Sequence, residues 1–264
     1  MKNLILLTLL PSLLFAEPKE ETTGLDLTLI AEQQAITAQE AFTVGLHIKH
    51  QAGYHTYWKN PGIVGVATQL QWELPAGFSA SDIRWPTPEV SDMAGHPCHG
   101  YERDVTLLTT VTPPKNITSS EVTLKVTASW MCCAEGCYPG SKELTLTLPV
   151  SHEASKNIAY SPLFEKARNE LPLSGKSWLV KLLSEPEASP IILEFHHDGD
   201  EQPLYFFSSD GQISSDHKQN FIKTENGTWT LTIPKSDYAP EKQKTLPGVL
   251  KTSHNSHQVF AKKS

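Results

Sequence analysis

Between Leu25 and about Val150 the chain alternates apolar and polar residues with a period of two, and this limits its possible folds more than any other feature. Leu25, Leu27 and Leu29 fall on one face, as do Phe42, Val44, Leu46 and Ile48. Val105 and Leu107, then Val122, Leu124, Val126, Ala128 and Trp130, then Leu144, Leu146 and Leu148 repeat the pattern. Successive side chains of a strand point to opposite faces, so the alternation predicts strands with one face buried. Turn-forming clusters separate them: Pro61-Gly62, Pro75-Ala76-Gly77, Pro86 and Pro88, Pro113-Pro114 and Pro139-Gly140. Short strands at such spacing predict an antiparallel sandwich, and no helical periodicity of any length competes.

Residues 151–175 change character. Residues 161–172 read as one short helix, capped by Ser161, begun at Pro162 and stopped by Pro172. Beyond this connector comes a second strand-rich series at residues 178–183, 191–195, 204–207, 229–233 and 249–252. Asn226-Gly227 predicts a two-residue hairpin turn within it. The expected fold class is all-β, with residues 24–150 and 176–264 as two domains of ordinary size. The second contains no cysteine and shows no catalytic constellation.

Ahead of the first strand, Met1-Lys2-Asn3 precedes an apolar run from Leu4 to Ala16, and acidic Glu17-Pro18-Lys19-Glu20-Glu21 follows. A basic start, a short apolar run and a small final residue predict a secretory signal, residues 1–16, removed after Ala16. About 18 apolar residues would be needed to span a bilayer. The mature protein is therefore expected to be periplasmic, with no membrane span. The formal charge of −7, from 29 acidic against 22 basic residues, argues against nucleic acid as a partner, because that binding depends on Lys and Arg neutralising phosphates.

Disulfides persist in an oxidising compartment. All four cysteines, Cys98, Cys132, Cys133 and Cys137, fall in the first domain, and four cysteines allow three pairings. Only Ala134-Glu135-Gly136 separates Cys133 from Cys137. If extended, that spacing would hold the Cα atoms roughly 13 Å apart, beyond disulfide reach, so the segment must turn. Gly136 supplies the permissive backbone and Pro139-Gly140 ends the excursion. A bridge closing so small a loop removes little entropy from the unfolded chain and is a poor staple. Near a surface turn it suits reversible reduction. An inert bridge pinning a hairpin is the competing reading of the same spacing.

Four ordered segments carry a family resemblance: Gly53-Tyr54-His55-Thr56-Tyr57-Trp58-Lys59-Asn60-Pro61-Gly62, Leu70-Gln71-Trp72-Glu73-Leu74-Pro75-Ala76-Gly77-Phe78, Ile83-Arg84-Trp85-Pro86-Thr87-Pro88 and Gly100-Tyr101-Glu102. Over about residues 24–150 the chain resembles the amino-terminal periplasmic domain of the DsbD/ScsB family of thiol–disulfide interchange proteins. The family's motif, Trp-Leu-x-Cys-x-x-x-Cys-x-Pro, is met by Trp130, Met131, Cys133, Cys137 and Pro139. Residues 158–264 are similar to the second β-rich segment of longer members. The resemblance implies two immunoglobulin-like antiparallel β-sandwich domains and a thiol–disulfide oxidoreductase of the protein-disulfide reductase type. Cys133 and Cys137 would be the catalytic pair, with Cys137 attacking and Cys133 resolving, and no cofactor is required. The implied partners are a thioredoxin-like or membrane-embedded electron donor and periplasmic disulfide-bearing proteins. No such donor segment follows in this sequence, so the donor is expected to be a separate protein. Met93, His96, His99, Tyr101 and Tyr138 are the expected substrate-binding residues.

Cys98 and Cys132 lie outside the motif. In relatives the loop corresponding to residues 92–101 covers the site, in some with an aromatic cap; here it offers His96, Cys98 and His99. The favoured reading is a Cys98–Cys132 disulfide tying the loop to the active-site strand. The alternative is a copper(I) or zinc site built from Cys98, Cys132, His96 and His99, whose thiolates and imidazoles are suitable donors. A relay of one disulfide among the four thiols is a third arrangement. Tyr54, Tyr57, Trp58, Trp72 and Trp85 are read as packing residues.

Overall fold

The computed structural model describes residues 22–175, 177–185, 187–240 and 244–263; the export signal expected at residues 1–16 lies outside them. The chain is all-β apart from one helix. In order it forms β1 Leu25–Ala31, β2 Gln33–Ala35, β3 Phe42–His50, β4 His55–Gly62, β5 Gln69–Glu73, β6 Ser79–Ala80, β7 Glu89–Met93, β8 His96–Tyr101, β9 Val105–Thr112, β10 Glu121–Cys133, β11 Cys137–Pro149 and β12 Ser155–Lys156. Then come α1 Ser161–Asn169, β13 Leu179–Leu182, β14 Ile191–His196, β15 Pro203–Ser208, β16 Phe221–Lys223, β17 Trp229–Ile233, β18 Thr245–Thr252 and β19 Ser256–Lys263.

The amino-terminal sandwich has one sheet in the order β1-β3-β9-β6 and another in the order β11-β10-β4-β8-β7, with β5 added along β10. The predicted alternation builds its core. Leu25, Leu27, Leu46, Ile48, Val105 and Leu107 of the first sheet pack against Trp58, Tyr101, Ala128, Trp130 and Cys132 of the second. A second cluster continues the core around Phe42, Val44, Val122, Leu124 and Val126.

Helix α1 docks on this sandwich, burying Phe164 and Ala167 against Ile30 and Leu108. Both guanidinium ends of Arg168 donate to the Glu32 carboxylate, a two-pronged pairing that tethers the helix to the turn after β1. Its amino-terminal cap is Tyr160 rather than Ser161; the Ser161 hydroxyl instead donates back to the Asn157 carbonyl over 3.1 Å. The helix ends at Asn169, ahead of Pro172, where the backbone N–H of Glu170 bonds to the Lys166 carbonyl.

The carboxyl-terminal sheet runs β15-β18-β19-β13-β14-β17-β16, antiparallel except for the parallel β13–β19 pair. The Gln219 amide donates to and accepts from Phe206 of edge strand β15, both at 2.8 Å, taking the place of a neighbouring strand there. Strand β19, where His257, Val259 and Ala261 are buried, was not among the sequence-derived strands. The Asn226-Gly227 turn is longer than predicted. Thr224 and Thr228 close it by a backbone bond of 2.8 Å around Glu225, Asn226 and Gly227, with Gly227 at φ 82°.

The two β units meet across the back of β4 and β8. His99 is buried against Trp58, Tyr205 and Phe207, with ring centroids 6.4, 5.6 and 5.0 Å away. Its nitrogens pair with the Tyr205 hydroxyl at 3.0 Å and the Asn60 carbonyl at 3.3 Å. Asn60 also donates to the Ser208 carbonyl at 2.6 Å, and the Ser215 hydroxyl bridges Ile63 N–H and the Pro97 carbonyl. Burial holds the His99 imidazole neutral, its pKa pushed down to about 4 against the partial support of the Asn60 carbonyl.

A group depressed in this way takes up its proton in the unfolded chain first. Stability is therefore expected to fall as pH drops from about 6.5 towards 4, at up to about 1.4 kcal/mol per pH unit from this residue. Urea unfolding between pH 7 and 5 checks it: His99→Phe should show a shallower slope. His47, His50 and His55, also depressed by burial, keep the slope from vanishing. An unchanged slope would contradict a neutral, buried His99.

Candidate redox site

The alternation along β10 decides which way each cysteine faces. Val122, Leu124, Val126, Ala128 and Trp130 point into the core, and Cys132 continues that series. Cys133 therefore faces the opposite side, where it packs with Tyr57 and Cys98 beneath Met93, Met131 and Val64. Cys133 and Cys137 are the last facing pair of the β10–β11 ladder and are joined by a disulfide, their Cα atoms 4.2 Å apart. The intervening turn is closed by a bond from Ala134 N–H to the Gly136 carbonyl at 2.9 Å. Cys133 is buried, and Cys137 is exposed.

Strand β4 supplies the floor. Cys133 pairs in register with His55, and Tyr57, two residues on, lies on the same face. The Tyr57 hydroxyl donates to Cys137 Sγ over 3.9 Å. The His55 and Tyr57 rings meet edge to face at 5.1 Å. Burial, followed by neighbouring Cys98 and Cys132, raises the Tyr57 phenol to about 12, so it stays protonated and able to donate. Sequence reasoning assigned Tyr57 to packing and gave His55 no role. Alternation along β4 puts the two on a common face; the β4–β10 register brings that face to the disulfide.

The predicted loop over residues 92–101 is a hairpin of β7 and β8. Its two-residue turn, Ala94-Gly95, takes positive φ of 52° and 86°, and the Asp92 carboxylate accepts from Gly95 N–H at 2.9 Å. The hairpin lays the Met93 thioether over the disulfide, with Sδ 3.8 Å from Cys137 Sγ. Tyr138 stands exposed beside it, its ring 6.2 Å from that of Tyr54. Gly53, Tyr54, Asp92, Glu135 and Tyr138 surround an open hollow next to the exposed sulfur.

Met93 and Tyr138 thus stand at the disulfide, but other expected residues do not. His96 is exposed at the hairpin turn. His99 faces the carboxyl-terminal sheet. Tyr101 is fully buried, donating to the Pro86 carbonyl at 2.7 Å, so neither it nor His99 is open to an incoming protein.

The expected Cys98–Cys132 bridge is not formed; both are buried free thiols. The reason is again the pleat: Cys132 faces the core, whereas Cys98 lies on the disulfide side of β8, 3.9 Å from His55 Nε2. The same geometry separates the proposed metal ligands, since His99 and Cys98 are neighbours on opposite faces and His96 points outward. Among the described residues no group of three or more His, Cys, Asp or Glu is arranged to hold a metal ion. Burial, then Asp92 and Glu102, raises Cys98 to about 12, and burial raises Cys132 to about 11.

The sequence of residues 26–149 matches the family model described as the thiol:disulfide interchange protein DsbD, N-terminal. Residues 26–149 belong to the DsbD amino-terminal domain family. The fold of nearly the whole chain matches the crystal structure of the N-terminal periplasmic domain of ScsB from Proteus mirabilis, with a TM-score of 0.71 at 18% identity over 93% of this chain and 96% of that one. Spo0M from Bacillus subtilis (TM-score 0.26, 12% identity, 90% and 89% covered) and a marsupial T cell receptor (0.22, 11%, 98% and 100%) superimpose too poorly to carry an argument. No curated protein matches the sequence. Among the described residues no helix is long and apolar enough to cross a membrane.

Two deeply buried, protonated thiols react slowly, because the thiolate is the nucleophile. In the native oxidised protein at pH 8, iodoacetamide is expected to leave Cys98 and Cys132 unlabelled, and denaturation without reductant should release both for labelling. Peptide mapping that finds Cys98 joined to Cys132 would overturn the arrangement.

Proposed function

We propose that the protein is an exported periplasmic thiol–disulfide exchange module. It passes electrons from a thioredoxin-like or membrane-embedded donor to disulfide-bearing periplasmic proteins through Cys133 and Cys137. The observation that carries the reading is the asymmetry of the bridge: one sulfur is open to a partner and the other is enclosed. Membership of residues 26–149 in the DsbD amino-terminal family supports it.

In the reductive direction, the Cys137 thiolate attacks one sulfur of a partner disulfide and expels the partner's other sulfur as thiolate. The Cys133 thiolate then attacks Cys137 Sγ, forming the Cys133–Cys137 bond and releasing the second partner thiolate. Two electrons leave the module and the partner gains two thiols. Recharging runs in reverse: a donor thiolate attacks exposed Cys137, Cys133 departs, and the donor's second thiol resolves the mixed disulfide. Tyr57 O–H, 3.9 Å from Cys137 Sγ, is placed to stabilise negative charge on that sulfur. Met93 covers the same sulfur, and the hairpin tip with Tyr54 and Tyr138 forms the surface a partner meets. The acidic Asp92 and Glu135 there favour a partner with a basic rim.

Reduced single-cysteine variants test these roles with oxidised glutathione as the disulfide. Cys133→Ser is expected to accumulate a stable glutathione adduct on Cys137. Cys137→Ser should modify at least tenfold more slowly, because Cys133 is enclosed. Wild type should return to the internal disulfide. Faster modification of Cys133 than of Cys137 would reverse the assignment.

A further inference from the structure

A cleft of about 510 Å³, lined by none of the cysteines, opens where the amino-terminal sandwich, the segment after α1 and the carboxyl-terminal sheet meet. That volume falls within the roughly 300–1,000 Å³ of small-molecule sites. Trp58, Trp85, Leu171 and Phe260 give it apolar and aromatic walls, and Lys59 and Arg84 are the charged residues lining it. In a chain with 29 acidic against 22 basic residues, the lining contains two cations and no carboxylate.

Neither cation is neutralised by a neighbour. Arg84 senses Glu32 and Arg168, but Glu32 is already gripped by both ends of the Arg168 guanidinium. Its Nε is buried without an acceptor. Lys59 senses Asp210 without forming an ion pair among the described residues, and its ammonium lies 5.2 Å from the centroid of the Trp58 ring. Trp58 Nε1 is likewise buried with no acceptor. Buried donors left unpaired cost stability. A guanidinium also matches a carboxylate in two-pronged geometry. Phe260 adds an aromatic side chain that is 62% exposed at the lining.

We infer that this cleft is a binding site for a small organic anion, a carboxylate carried on an aromatic or branched apolar body. The carboxylate sits between Arg84 and Lys59, and the body lies against Trp85, Leu171 and Phe260. A small shift of Trp58 or Arg84 towards the cleft gives each orphaned N–H an acceptor on the ligand. The site is formed jointly by both β units, giving the carboxyl-terminal sheet a binding role that does not depend on the disulfide.

The test titrates the full chain by tryptophan fluorescence with 3-phenylpropanoate, using 3-phenylpropanamide as the uncharged probe. Saturable binding of the carboxylate is expected, at least tenfold tighter than of the amide. Arg84→Gln and Lys59→Gln should each weaken the carboxylate about tenfold, as loss of a charge-assisted contact does, and leave the amide unchanged. Phe260→Ala should weaken both probes. If Arg84→Gln fails to fold, the Lys59 and Phe260 variants, altered at exposed side chains, decide the matter. A response that does not saturate, equal binding of acid and amide, or variants that bind the acid as wild type does would overturn the proposal.

Discussion

The two-residue period of β10 is the constraint on which the rest of the structure depends. This strand carries three partners: β11 along its whole length, β5 against its middle and β4 at its end. Its even-numbered residues from Val122 to Cys132 fill the core, so the pleat delivers Cys133 to the other face. A slip of one residue would invert the whole series, exposing Trp130 and burying the redox sulfur in the core. The disulfide therefore sits at the end of a fixed ladder, directly opposite its partner position in β11, and the site inherits the rigidity of the sheet.

Strand β8 applies the same rule at the other side of the site. Cys98 faces the cluster beneath the disulfide, while His99, one residue on, faces the carboxyl-terminal sheet. The carboxyl-terminal unit thus grips the back of the strand whose hairpin holds Met93 over Cys137. Ser215 adds a bond to the Pro97 carbonyl, two residues past the turn of that hairpin. Burying an imidazole at such a contact is tolerable only in its neutral form with both nitrogens occupied, and that is how His99 is held. The sequence presents Cys98 and His99 as adjacent soft ligands; the pleat assigns one to each side.

Much of this was legible in the sequence because a strand's period of two is written in the order of apolar and polar residues. The strands of the sandwich core and the all-β class could be read from residues alone; the Cys133–Cys137 spacing marked a tight turn, and the family resemblance singled that pair out from the three possible pairings. The hairpin at residues 89–101 was not, because Pro97, Gly95 and Gly100 read as loop chemistry while its turn depends on positive φ at Ala94. Tyr101, an aromatic close to the cysteines in sequence, looked like a partner contact but belongs to the core with its hydroxyl satisfied internally. Tyr57 was read as packing because its place beside Cys137 depends on the β4–β10 register, a long-range pairing that alternation within β4 does not encode. Extending the Val122–Trp130 alternation by two residues would have placed Cys132 in the core and removed the Cys98–Cys132 bridge.

A working redox couple at Cys133–Cys137 differs from a structural staple in its reduction potential. The most direct measurement is a redox titration of the metal-free protein against glutathione and dithiothreitol buffers, with thiol trapping and mass spectrometry to assign each cysteine. Reversible reduction of this pair alone is expected, with a potential of about −180 to −270 mV, the range of catalytic dithiols. A bridge that resists reduction until below about −300 mV, as structural disulfides do, would contradict it.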